Sequence, residues 1–163
     1  MATSEDLISK YTFEYRSDAS KITAASTDDD LTATKYTLAT TQTFFTDDKK
    51  TKAWIGDLSY AMNNALGKNT KFNRYDLGGS YLSPAFSDCT WTGKLSYFSS
   101  TYPDASSGRK DSGTTLTLTL IQPLSDSLTA VYSAATSNNA SNVSDYQYNK
   151  FTLTALLSWS GIF

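Results

Sequence analysis

The side chains that most often carry out chemistry are sparse in this chain, and one type is missing: no histidine occurs among its 163 residues. Ser-His-Asp and Cys-His catalysis, and any histidine-ligated metal, are thereby ruled out. The single cysteine, Cys89, allows no internal disulfide and no cysteine-based zinc site, and reads as a small apolar filler. What remains is carboxylate chemistry. Asp28, Asp29 and Asp30 are consecutive, and Asp47 and Asp48 form a second group. Clustered carboxylate oxygens suit a hard cation such as calcium, but neither group has EF-hand spacing and both read as solvated loop acids. The stretch "GRKDSG" lacks the Gly-Lys-Ser/Thr pattern of a phosphate cradle and reads as a turn; the Asn-X-Ser matches at Asn139 and Asn142 read as loop polarity. No metal, no cofactor and no enzymatic activity is expected.

Composition narrows the partners. Ser and Thr number 47, charged residues make up 18% and aromatic residues 13%, with eleven tyrosines. Soluble domains carry about 25% charged residues, so the polar positions here are unusually neutral. The net charge of −2 and a pI near 5.0 leave no basic stripe for nucleic acid. No run approaches the ~20 apolar residues of a spanning helix. A single domain over residues 1–163 is expected, with "MATSEDL" reading as a start methionine before a mature N-terminus.

The organisation that could position side chains is a period of two, which recurs in eight segments. In "KYTFEYR", Tyr11, Phe13 and Tyr15 alternate with Thr12, Glu14 and Arg16; "KYTLATTQTFFT" follows more weakly through Tyr36, Leu38 and Phe44. "AWIGDLSYAM" sets Trp54, Leu58 and Tyr60 against Asp57 and Ser59, and "NRYDLGGSYL" sets Tyr75, Leu77 and Tyr81 against Arg74, Asp76 and Ser80. "TWTGKLSYF" does the same with Trp91, Leu95 and Tyr97 against Thr92, Lys94 and Ser96. "TTLTLTLIQ" alternates leucine with threonine, "SLTAVYSAAT" carries Leu128, Ala130 and Tyr132, and the last runs from Phe151 through Trp159 to Phe163. Leu156 breaks the polar face of that last segment once.

Aromatic residues on the apolar faces stand near segment ends, and indole and phenol rings favour the headgroup level of a bilayer. Trp54, Tyr60, Tyr75, Tyr81, Trp91, Tyr97 and Trp159 are therefore expected to form two girdles. The opposite faces carry Glu14, Arg16, Lys35, Asp57, Arg74, Asp76 and Lys94 amid hydroxyls, a nearly neutral set that would fill a narrow lumen as an ion-pair network. The connections alternate as well, compact ones such as "TDDKK" and "QPLSDS" with mostly longer ones such as "STYPDASSGRKDSG" and "SNNASNVSDYQ". Short turns at one end and longer loops at the other are the habit of outer-membrane barrels.

The ending resembles a family signal. Bacterial outer-membrane β-barrel proteins typically finish on a strand of alternating apolar residues with a terminal Phe, and here Phe163 is in phase with Trp159, Leu157, Ala155, Leu153 and Phe151. Gly161 stands where the family often has an aromatic residue. With eight strands, the chain resembles the small barrels of outer-membrane-protein-A-like or X-like type, and this resemblance implies a location in the bacterial outer membrane. It implies contact with outer-membrane lipid, and Phe163 as the signal read by the barrel-assembly machinery during insertion. The expectation is an all-β, eight-stranded antiparallel up-and-down transmembrane β-barrel, monomeric, with a structural or surface-interaction role through its outer loops, or a narrow pore. Nothing in the sequence excludes a larger barrel of several chains. The alternative is a soluble, secreted lipocalin-like barrel that turns its apolar face inward around a small molecule.

Overall fold

A computed structural model describes residues 6–19 and 27–160. Its strands are β1 (Leu7–Asp18), β2 (Ala33–Phe45), β3 (Ala53–Ala65), β4 (Phe72–Pro84), β5 (Thr90–Thr101), β6 (Lys110–Pro123), β7 (Leu128–Ser141) and β8 (Tyr148–Trp159). They form one eight-stranded sheet in the order β1-β2-β3-β4-β5-β6-β7-β8, each antiparallel to the next. The expected all-β up-and-down meander is thus present. Among the described residues no ladder joins β8 back to β1. No described helix is long and apolar enough to cross a membrane, a statement that bears on helices alone.

The register explains why the period of two was so visible. On one face the pairs run Phe13 to Leu38, Leu38 to Tyr60, Tyr60 to Tyr75, and further along Leu95 to Leu116 and Ala134 to Leu153. On the other they run Thr41 to Asp57, Ser80 to Lys94, Lys94 to Thr117 and Thr119 to Ser133. Because a slip of one residue would exchange the two faces, the alternation pins the pairing along the whole sheet. Large apolar side chains are not what fills the interior: the buried hydrophobic residues are alanines and Cys89, and no large side chain is fully buried among the described residues.

The strands are longer than their apolar alternation. At 12 to 14 residues they exceed the ~9–11 that cross a bilayer. The excess lies at one end, where β3, β5, β6, β7 and β8 run on through residues polar on both faces, such as Asn63 and Asn64, Ser99 and Ser100, or Asn138 and Asn139. This corrects the expected contrast of loop lengths. After the connection 19–32, the connections 66–71, 102–109 and 142–147 are scarcely longer than 46–52, 85–89 and 124–127 at the opposite end. "GRKDSG" is likewise no turn as a whole, since β6 begins at Lys110, and Asn138 to Ser141 lie in β7.

Candidate functional site

The polar face carries the charged side chains, and the sheet brings only some of them together. Asp57 on β3 accepts a hydrogen bond from Thr41 Oγ1 at 2.9 Å and pairs with Lys94 Nζ on β5 at 2.9 Å. The strand between, β4, passes beneath this bridge at Gly78. A Cβ there would lie 3.4 Å from both the Asp57 carboxylate and the Lys94 chain, so the missing side chain leaves the path open. Arg74 and Asp76 pair along β4, with Nη2 to Oδ1 at 2.7 Å, and the Arg74 guanidinium lies 4.2 Å from the centre of the Phe98 ring. Arg16 pairs with Asp18, at 2.8 Å. Glu14 and Lys35, also placed on this face, make no ion pair among the described residues, and Arg16 stands directly opposite Lys35 in the ladder.

A third Arg-X-Asp pair was not foreseen. Arg109 grips Asp111 with Nε and Nη2, and its guanidinium is sandwiched between Tyr102 and Tyr146, with ring centres 4.1 and 3.2 Å away. The side chains are 14% and 4% exposed, which makes this the one deeply buried ion pair among the described residues. Burial works against the charge on Arg109, but Asp111 and the two rings offset it, and its pKa is raised. Burial raises the Tyr102 pKa too, against the pull of Arg109. The signal was in the sequence: "RSD", "RYD" and "RKD" repeat a cation and a carboxylate two residues apart, the spacing that puts both on one face of a strand.

All three pairs stand toward the end of the sheet that holds connections 19–32, 66–71, 102–109 and 142–147. There the described loop residues are tied into a rim. Asp28 and Asp30 carbonyls accept from Asn69 and Gly67 amides, Asn69 Nδ2 donates to Asp29 Oδ1 at 2.9 Å, and Lys68 pairs with Asp28 at 3.6 Å. Gly67 is required at this crossing, since a side chain would run into the backbone of Asp30. Lys71 pairs with Asp104 at 2.8 Å, and Asn142 Nδ2 donates to the Gly108 carbonyl at 3.1 Å. Asp28 to Asp30 thus hold neighbouring loops; no group of three or more metal-ligating side chains occurs among the described residues.

The apolar face brings five of the seven expected aromatic residues into ring contact. Trp54 and Tyr81 have ring centres 4.7 Å apart, and Tyr81 and Trp91 5.9 Å apart, at the end that holds connections 46–52 and 85–89. Toward the loop end, Tyr60 and Tyr75 lie 4.7 Å apart, and Tyr15 and Tyr36 lie 5.4 Å apart. Six residues separate Trp54 from Tyr60, about 20 Å along a strand. Tyr97 is paired with Leu77, and Trp159 with Leu128. Phe163 lies outside the described residues. No family model, curated protein or solved structure matches the chain.

Proposed function

We propose that this chain builds the wall of a bacterial outer-membrane β-barrel, with a structural and surface-interaction role through its rim of loops. The observation that carries the reading is the inverted burial. Leu58, Leu77, Leu95, Leu118 and Leu153, with Trp54, Tyr75 and Tyr97, stand exposed on one continuous face, while the buried hydrophobic set is small residues alone. In water a patch of that extent demands a cover. In lipid it is already solvated, and a ring of paired strands leaves no backbone group unsatisfied in the hydrocarbon layer. The paired aromatic residues support the same location. A soluble carrier would wrap its apolar face around a ligand, whereas here the charged side chains that bond one another lie on the polar face.

Refolding the purified chain with and without detergent micelles, followed by circular dichroism and electrophoresis of unboiled and boiled samples, tests this. A β-rich species that requires detergent and changes mobility on boiling is expected. A β-rich monomer formed in plain buffer, with no such change, would overturn the reading.

A further inference from the structure

The two edge strands look alike: β1 and β8 are both 12 residues long, and each is exposed at all but one of its residues, on both faces. The polar face between them is open to water as well, with Lys94 and Asp57 retaining 45% and 32% of their side-chain exposure. A closed eight-stranded barrel has room inside only for packed side chains. Among the described residues the sheet is not closed, so strands that complete it would pair with the outer edges of β1 and β8.

Resting on the outer-membrane reading, we propose that the missing strands belong to further copies of this chain, with β8 of one copy pairing antiparallel to β1 of the next in a closed ring. The edge sequences complement one another in one register. Setting Glu14 opposite Lys150 joins a carboxylate and an ammonium that make no ion pair among the described residues. The same register sets Phe13 opposite Phe151 and Tyr11 opposite Leu153 on the apolar face. It also sets Ile8 opposite Leu156, which extends the apolar pair that Leu156 already makes with Val131. Sliding by two residues one way confronts Arg16 with Lys150; sliding the other way sets Ile8 against Thr154. Cross-strand pairs of opposite charge and of aromatic rings stabilise a ladder, and like charges directly opposite oppose it. β1 and β8 run in opposite directions, so head-to-tail pairing keeps the antiparallel order and closes by rotation.

Thr12 and Thr152 face each other on the polar side in this register. In a Cys89→Ser background, Thr12→Cys chains and Thr152→Cys chains are refolded in detergent separately and as a mixture, then oxidised. A covalent dimer in the mixture and none in either separate sample is expected, and Glu14→Lys should remove it until Lys150→Glu restores it. A chain carrying both cysteines should give a ladder of multimers. An internal disulfide in monomers of that double variant would overturn the proposal in favour of closure within one chain. Absence of any cross-link in protein that still shifts on boiling would overturn it too, while leaving the membrane reading intact. A chain that folds without detergent would remove both.

Discussion

Adjacent residues of identical type do opposite things here because a strand sends alternate side chains to opposite faces. Gly78 lies under the Lys94–Asp57 bridge, whereas a Cβ on Gly79 meets nothing within 4 Å. Gly78→Val should cost about 1–3 kcal/mol, the usual range for overpacking. Gly79→Val should be neutral or gain up to about 1 kcal/mol from strand propensity. Denaturant midpoints of the two variants in micelles would separate them, and equal effects would count against the bridge. The Arg-X-Asp pairs offer a second contrast at the same scale. Arg109→Met leaves Asp111 buried without its counter-ion, a loss of about 3–5 kcal/mol for a buried pair. Arg16→Met removes a pair whose side chains are 62% and 41% exposed, which water screens to under about 1 kcal/mol. The same midpoint measurement decides: comparable losses would mean that burial does not set the strength of these pairs.

Turns and strands differ in how much of them the sequence discloses. The turn between β2 and β3 rests on Asp47, whose carboxylate accepts from Thr51 Oγ1 at 2.7 Å and from the Thr51 and Lys52 amides at 3.2 and 2.6 Å. The Thr51 bond, with the amide bonds behind it, outweighs the small desolvation and lowers the Asp47 pKa from its usual 3.8. The folded form therefore holds the ionised group more tightly than the unfolded chain does. Its contribution is complete above pH 3.8 and fades as pH falls through the lower folded value. The Thr51 and Lys52 amide shifts should titrate below pH 3.8 in the native protein and lose that step in Asp47→Asn, as followed by NMR; a step at or above 3.8 would reverse the sign. Such a turn was legible as a cluster of Asp and Lys between apolar runs. The middle of each strand was legible too, because lipid-like and polar residues alternate there. The loop-side ends were not, since Ser, Asn and Gly on both faces erase the period while the backbone pairing persists. At Asn138 even the ladder is replaced, its Oδ1 taking the Thr114 amide at 2.7 Å. Of the candidate charges, their common face was readable from parity, but the choice of partners depended on register, which parity leaves open. Arg109 escaped because one of its stacking rings, Tyr146, arrives from a connection distant in sequence.

Charge is distributed over the whole molecule in a way its net value conceals. The chain totals −2, yet many of its acids sit in connections, among them Asp28 to Asp30, Asp47, Asp48, Asp88, Asp104, Asp126 and Asp145. On the polar face four cations are matched by neighbouring carboxylates: Arg16, Arg74, Lys94 and Arg109. The residues left over there are Lys10, Lys35 and Lys150 against Glu14 alone, a positive remainder. Pairing Glu14 with Lys150 across copies leaves Lys10 and Lys35, so the remainder keeps its sign in the ring proposed above. A water-filled lumen lined this way concentrates anions, because walls of low dielectric focus the field of an unpaired charge. Reconstituted into a planar bilayer under a potassium chloride gradient, the assembly should show a reversal potential of the sign that chloride preference gives. Lys35→Glu combined with Lys10→Glu should carry that potential toward or past zero. A cation-selective conductance in the unaltered protein would refute Lys10 and Lys35 as the charges that set the field of the lumen.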